Sequence, residues 1–233
     1  MRAGDWFKEA FQEFKKDPLG CLLILLIYSV ITFSTRMIPK LGVVFETLLH
    51  PLLIGGLMIG WNRLRIQGEV RAGDVFYGFQ NKAKELFTIG LLALPILGSI
   101  VAVMVTLFFL TTRLERFDAA AMATAMTDPL FVFGLVVVAL IITCYLILML
   151  FAPLLVVFKD YKPWQAMKES ANACMKHWWP LTVYSLWAVL WFFVALIPLG
   201  LGLLVFVPVA SISFLKAYGA IFGHPTQLAK TEP

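Results

Sequence analysis

Residues 130–158 read LFVFGLVVVALIITCYLILMLFAPLLVVF, a stretch of 29 residues without a charged side chain. A helix of about 20 apolar residues is long enough to cross the hydrocarbon core of a bilayer. The stretch is longer than one crossing needs, so we expect its helix either to tilt or to emerge from the membrane at one end. It predicts a membrane-spanning segment rather than part of a soluble domain.

Five further apolar runs lie around it in the chain. They cover residues 19–35, 41–61, 86–110, 181–197 and 199–215. Within the six runs, Glu46 is the only Asp, Glu, Lys or Arg. The mean hydropathy is +0.86, and 14% of the residues are charged, whereas soluble domains carry about 25%. The sequence predicts an all-α polytopic protein with six transmembrane helices in one membrane domain, residues 1–223, and a short cytoplasmic tail, residues 224–233.

The distribution of Lys and Arg predicts the orientation. With the N-terminus inside, 15 of these residues lie in inner segments and 4 in outer connections, and Lys and Arg are retained on the cytoplasmic side. Both termini are therefore predicted to be cytoplasmic. The net charge of +5 follows from this topology and suits anionic lipid headgroups, so no nucleic-acid partner is expected. The outer connection, residues 111–128, has apolar residues at helical spacing and is predicted to be a surface helix.

Three inner segments carry apolar stripes at helical spacing. The stripes are Trp6, Phe7, Ala10, Phe11 and Phe14; Val75, Phe76, Phe79, Ala83, Leu86 and Phe87; and Trp164, Met167, Ala171, Cys174, Met175 and Trp178. Aromatic and basic residues together favour helices that lie in the headgroup plane. Trp6, Trp164, Trp178 and Trp179 are predicted to be interface anchors.

Each returning run contains a proline, namely Pro51, Pro153 or Pro208. Proline removes a backbone hydrogen bond and kinks a helix. An interfacial helix, an outgoing span and a kinked returning span then form a unit that occurs three times, which predicts a pseudo-three-fold repeat. Such repeats often enclose a binding site at their interface. The alternative is that proline is simply common in membrane helices.

Glu46 and His50 share one face of the second span because they are four residues apart. Ionisable groups inside a membrane indicate a functional site by default, and this pair could relay a proton or bind a polar solute. In the structural alternative, Arg36 or Lys40 pairs with Glu46, and His50 bonds a carbonyl freed by a kink. Two ligands are too few for a metal, so neither a metal nor a cofactor is expected.

Gly55, Gly56 and Gly60 lie further along the same span, and the last two have G-x-x-x-G spacing. Small residues let membrane helices approach closely. The spacing predicts close helix packing within the bundle, with a homo-oligomer face as the alternative.

Four short motifs carry a resemblance to known proteins. They are PLLIGG at residues 51–56, FYGF at 76–79, AMKES at 166–170 and YGAIFG at 218–223. With these motifs the chain resembles a family of uncharacterised bacterial polytopic inner-membrane proteins. It is also similar to the membrane domain attached to some glycerophosphodiester phosphodiesterases. The resemblance implies a bacterial inner membrane and a six-span bundle. It implies no enzymatic activity, because that membrane domain is not the part that hydrolyses.

Two classes of function remain open. The absence of a catalytic motif favours a non-enzymatic accessory, scaffolding or regulatory subunit that acts on a membrane partner or on lipids. The predicted repeat and the pair of Glu46 and His50 favour a small transporter or lipid-handling permease. A cavity lined by these two residues would favour the second class, whereas a solid core with an exposed apolar groove would favour the first.

Overall fold

The architecture is all-α throughout the residues that the computed structural model describes, which are 3–112, 127–223 and 225. The helices are α1 Ala3–Phe14, α2 Pro18–Arg36, α3 Gly42–Gln67, α4 Tyr77–Asn81, α5 Ala83–Thr112, α6 Pro129–Met149, α7 Ala152–Lys159, α8 Pro163–Lys176, α9 Trp178–Leu196 and α10 Leu203–Phe222. A 3₁₀ turn, Ala72–Phe76, precedes α4. The surface helix predicted within residues 111–128 falls mostly outside the described residues.

Six segments of the described chain are long and apolar enough to cross a membrane, namely α2, α3, α5, α6 with α7, α9 and α10. The predicted six-span all-α fold is therefore confirmed. Two spans continue as helices past the ends of their apolar runs, since α3 extends to Gln67 and α10 to Phe222. Gly68 ends α3 with a left-handed φ of 81°, a conformation that glycine adopts without steric cost.

The long run, residues 130–158, is divided into α6 and α7 at Leu150 and Phe151. Ser170 of α8 bridges the break, because its hydroxyl donates to the Ile147 carbonyl at 2.8 Å and accepts from the Phe151 amide at 3.1 Å. Pro153 lies in the first turn of α7, where the missing N–H leaves no hydrogen bond unmade. The proline therefore starts a new helix instead of kinking a continuous one.

Proline occupies the interior of three other spans. Pro51 lies inside α3 and Pro208 inside α10, as the kink prediction requires. Pro95 lies inside α5, an outgoing span, so prolines are not confined to the returning spans. This position weakens the regularity on which the repeat was predicted.

The first predicted amphipathic segment forms one helix, α1, and buries most of its stripe. Phe7 stacks on Tyr184 with ring centroids 5.3 Å apart, and Phe11 is the exposed member at 41%. Trp6 is only 7% exposed and packs with Ala217. The indole of Trp6 packs against α9 and α10, and its role as an interface anchor stays a prediction.

The second predicted amphipathic segment is not one helix. A 3₁₀ turn, α4 and the start of α5 divide it, with breaks around Lys82. Gly78 explains the irregular path, since a Cβ there would lie 2.3 Å from the Leu52 carbonyl oxygen. The segment follows the surface of α3 too closely to remain one regular helix.

The third segment forms α8 with a buried face that differs from the predicted stripe. Met167 and Cys174 are buried as predicted, but Ala166, Ser170 and Ala173 complete the face. Three predicted anchors stay outside it: Trp164, Trp178 and Trp179 are 59%, 62% and 63% exposed. These positions leave the indoles available to the membrane interface.

The packed core lies toward one end of the bundle, the end predicted to be cytoplasmic. Trp61, Phe151, Leu155, Ile212 and Tyr218 are among its fully buried side chains. By contrast, the only buried residue of α9 is Ala195. Lipid tails are as apolar as leucine, so helices can expose apolar surface in a bilayer without cost.

The inner segments follow a cyclic order of contacts. The first segment, α1, packs on α10; the 3₁₀ turn and α4 pack on α3; and α8 packs on α6 and α7. Each inner segment therefore contacts the returning span of the preceding hairpin. The first segment contacts that of the third hairpin, the second that of the first, and the third that of the second. A three-fold repeat would produce this order, but the repeat stays a prediction.

The charge distribution makes the orientation testable. We expect reporters active only in the cytoplasm to give signal when fused after residues 75 and 165, and none after residue 38. This follows because the segments at 75 and 165 belong to the inner set that holds 15 Lys and Arg, which resist translocation. A reporter active only outside should give the reverse pattern. The opposite result at either inner position would contradict the predicted topology.

Candidate functional site

A cavity of about 630 Å³ lies between the helices at the predicted mid-membrane level. Its walls come from α3, α5, α6, α7, α9 and α10 and from Leu150, at the break between α6 and α7. Pro51 and Pro153 both line it, whereas Pro208 is buried and lines a different groove, beside α2. Two of the predicted proline sites thus meet at one space between the second, third, fourth, fifth and sixth spans.

Glu46 and His50 both line this cavity, but they do not form a pair with each other. Arg36 binds Glu46 with two hydrogen bonds, from Nε to Oε2 at 2.8 Å and from Nη2 to Oε1 at 2.6 Å. This bidentate geometry is the one in which arginine binds a carboxylate most strongly. The structural alternative raised from the sequence for Glu46, pairing with Arg36, is the arrangement found.

His50 contacts a tyrosine hydroxyl rather than a backbone carbonyl. Its Nδ1 atom lies 3.2 Å from the Tyr28 hydroxyl of α2. Either group can donate, depending on which ring nitrogen carries the proton. One ring nitrogen is thereby occupied, and among the described residues the other has no partner. His50 thus combines a structural contact with a site on the cavity wall.

The cavity is mostly apolar with a few hydroxyl groups. Tyr184 is fully engaged, since its hydroxyl lies 2.9 Å from Ser213 Oγ and donates to the Ala210 carbonyl at 3.2 Å. Tyr145 also lines the space, and its hydroxyl makes no hydrogen bond within the part of the chain that the structure describes. Apolar walls with few polar groups are typical of sites for small molecules with an apolar body.

The three small residues of the second span face other parts of the same chain. A Cβ on Gly56 would lie 2.0 Å from the Val75 carbonyl oxygen, and one on Gly60 would lie 2.6 Å from Ile24. Gly55 faces the side chains of Val157 and Leu86. The close approach therefore occurs within the bundle, between α3 and the segments that pack on it.

A buried ion pair lies at the inner end of α3, and sequence reasoning missed it. Arg63 donates from Nε to Asp74 Oδ2 at 2.8 Å and from Nη2 to Oδ1 at 3.0 Å. The two side chains are only 7% and 8% exposed. In the sequence, Arg63 indicates only the membrane topology, because Asp74 lies eleven residues away across a turn. No local pattern indicates that pairing.

Further polar contacts tie the inner segments to the spans. Asp17 accepts hydrogen bonds from the Gly20 and Val70 amides, both at 2.9 Å, so it caps α2 and holds the loop after α3. The Asp17–Pro18 sequence carried a signal that was missed, since an aspartate before proline is a common helix start. Lys82 pairs with Asp160, and this hydrogen bond raises the pKa of the Lys82 ammonium.

No three His, Cys, Asp or Glu side chains come together within the described residues in a way that could hold a metal ion. Cys21 and Cys174 are buried and Cys144 is exposed, and all three are free thiols. Burial raises the pKa of the Cys174 thiol, which keeps it protonated and unreactive. The arrangement suits packing rather than thiol chemistry.

The family model described as "Protein of unknown function (DUF975)" matches residues 8–223. The chain belongs to this family. The match spans α2 through α10, so the cavity and the buried ion pair both lie inside the shared region. No curated protein and no solved structure matched the chain. The similarity to the membrane domain of glycerophosphodiester phosphodiesterases stays a prediction.

Proposed function

We propose that this protein is a lipid-handling membrane protein that binds an amphiphilic molecule of the bilayer in the central cavity. The observation that supports this most is the cavity itself, because it brings Glu46 and His50 to a space shared by five spans. From the sequence alone, such a cavity was the feature that separated a permease from an accessory subunit. We therefore favour a lipid-handling permease over an accessory subunit, which the lack of catalytic motifs favoured.

The chemistry of the lining supports an amphiphile over an ion or a sugar. A permeant ion or sugar needs several free polar groups, but here Glu46 is neutralised by Arg36. Within the described lining, the groups without a hydrogen-bond partner are the Tyr145 hydroxyl and one nitrogen of His50, which suffice for a single polar headgroup. The remaining wall, with residues such as Ile54, Leu57 and Ile89, suits an acyl chain. No catalytic step is part of the proposal.

The cellular setting forms part of the same proposal. The excess of Lys and Arg in the inner segments supports cytoplasmic termini, and the bacterial inner membrane is inferred from the resemblance stated above. Anionic headgroups would then face the exposed lysines of the inner segments.

A pair of serine substitutions tests the cavity. Ser211 of α10 lines it, and Ser185 of α9 is exposed and does not. Both hydroxyls donate to the carbonyl four residues earlier, at 2.8 Å and 3.0 Å. We expect Ser211→Phe to lower the lipid that copurifies with the protein, because its ring occupies the cavity, and Ser185→Phe to leave it unchanged. Native mass spectrometry of the purified protein measures the bound lipid.

The outcomes separate the two classes of function. Equal lipid content in Ser211→Phe and the unchanged protein would contradict binding in the cavity, provided that both variants remain monodisperse. If the protein is an accessory subunit, another membrane protein should copurify with the unchanged protein, with Ser211→Phe and with Ser185→Phe. The exposed face of α9, with Ala195 its only buried residue, is the observation that favours this second candidate.

A further inference from the structure

The ion pair between Arg36 and Glu46 forms the margin of the central cavity at its predicted outer end. Helix α2 ends at Arg36 and α3 begins at Gly42, so the pair joins two helix ends on the same side of the bundle. On α3, Val43 and Glu46 are the lining residues nearest to that side, and Val43 is 70% exposed. The pair therefore lies where the cavity meets the outer surface of the bilayer.

Both members of this pair keep hydrogen-bonding capacity for a ligand. A carboxylate has about four lone-pair sites and a guanidinium has five N–H groups, whereas the contact between them consists of two hydrogen bonds. The side chain of Arg36 is 65% exposed and that of Glu46 is 23% exposed. A ligand that carries both an anion and a cation can therefore bind alongside the pair, with its anion on Arg36 and its cation on Glu46.

The charges at this end of the bundle cancel within the part of the chain that the structure describes. Arg36 is matched by Glu46, and the other two charged residues, Lys40 and Asp128, are of opposite sign and do not line the cavity. A region without net charge has no reason to prefer an anionic headgroup. Two fixed opposite charges are instead complementary to a headgroup that carries one charge of each sign.

Below the ion pair, the wall formed by α3 becomes less polar with depth. His50 lies one helical turn deeper than Glu46, about 6 Å, and it is exposed although it lies within a span. When the Tyr28 hydroxyl donates to Nδ1 of His50, the ring proton lies on Nε2, and His50 presents an N–H donor. Apolar residues continue the wall to Met58, about 18 Å deeper than Glu46. This depth covers half of a hydrocarbon core of about 30 Å.

We propose that the central cavity binds a zwitterionic phospholipid with a primary ammonium group, phosphatidylethanolamine, from the outer leaflet. The ammonium contacts Glu46, the phosphate contacts Arg36, an ester carbonyl accepts from His50, and an acyl chain lies along the apolar wall. A primary ammonium fits better than a trimethylammonium group, because it can donate hydrogen bonds to the carboxylate. This inference rests on the proposed function, since it names the amphiphile that the cavity binds.

A substitution of Glu46 tests the contact with the ammonium group. The full-length protein is placed in nanodiscs of equal phosphatidylethanolamine and phosphatidylglycerol, released, and analysed by native mass spectrometry. We expect the unchanged protein to retain more phosphatidylethanolamine than phosphatidylglycerol. Glu46→Gln should lower this ratio about tenfold, the effect of losing one hydrogen bond between charged groups. Glutamine keeps the shape of the side chain and removes its charge.

Two further variants show which part of the headgroup is recognised. Arg36→Gln removes the phosphate contact, which both lipids share, so the total lipid retained should fall while the ratio does not. Glu69→Gln is the matched control for Glu46→Gln, because Glu69 also pairs with an arginine, Arg71 at 3.2 Å, but lies outside the cavity. This control should leave both the ratio and the total unchanged.

The outcomes distinguish this inference from the proposed function. The inference is overturned if the unchanged protein shows no preference, if Glu46→Gln leaves the ratio unchanged, or if Glu69→Gln lowers it equally. If Ser211→Phe lowers the total lipid while Glu46→Gln leaves the ratio unchanged, the cavity binds lipid without recognising the headgroup, and this inference alone fails. If Ser211→Phe leaves the total unchanged, the proposed function itself fails.

Discussion

Replacing Asp74 with alanine is expected to lower the free energy of unfolding by about 3–5 kcal/mol, the usual cost of removing one partner from a buried ion pair. Arg63 would be left charged, only 7% exposed, and without the two hydrogen bonds that it now donates to Asp74. Asp74 also accepts from the Arg71 amide at 3.3 Å, so the 3₁₀ turn would lose a contact as well. Unfolding in sodium dodecyl sulfate, followed by circular dichroism, measures the change.

The neighbouring exposed pair provides the control. Arg71 and Glu69 lie 3.2 Å apart with side chains 64% and 57% exposed, and such pairs contribute about 0–1 kcal/mol. Glu69→Ala should therefore change stability little. A double variant, Arg63→Met with Asp74→Leu, should recover most of the lost stability, because no charge remains buried. Equal effects of Asp74→Ala and Glu69→Ala would show that the buried pair has no special role in the fold.

Gly56→Ala is expected to destabilise the protein by about 1–3 kcal/mol or more, the range typical of overpacking. The added methyl group would lie 2.0 Å from the Val75 carbonyl oxygen and 2.6 Å from that of Asp74. Both contacts involve backbone atoms, which cannot move aside as a flexible side chain can. The 3₁₀ turn would have to separate from α3, and the same denaturant titration would detect the loss.

Gly98→Ala serves as the matched control on another span. No heavy atom lies within 4 Å of a Cβ built there, and alanine in a helix interior is favoured over glycine by about 0.5–1 kcal/mol. We expect this variant to be as stable as the unchanged protein or slightly more so. If Gly56→Ala altered the oligomeric state while leaving monomer stability intact, the glycine would instead belong to an interface between copies.

The spans could be predicted because hydrophobicity is a local property of the chain. A run such as residues 86–110 must be helical in a bilayer, where each backbone group needs an internal partner. The ends were less accurate, since α3 and α10 continue past their apolar runs. Their extensions carry Arg63, Arg65 and Lys216, and contacts outside the helix, such as Lys216 with Glu13, keep these charges satisfied.

Part of the candidate site was also within reach of the sequence. Glu46 and His50 share a face because of helical spacing, and Arg36 lies near enough along the chain to pair with Glu46. Tyr28 could not be foreseen as the partner of His50, because that contact depends on how α2 packs against α3. Ser170 was part of a quoted motif, but its role at the break in the fourth span depends on where α8 packs.

The sequence by itself determined that the chain is an all-α membrane protein with six spans, and it indicated their orientation. Only the tertiary structure decided that Trp6 is buried, that Pro153 starts a helix, that Asp74 neutralises Arg63, and that a cavity lies beside His50. The physical reason is the distance along the chain over which each property is determined. Apolar content and helical period are fixed within one segment, whereas burial, ion pairing and cavities depend on which distant segments come together.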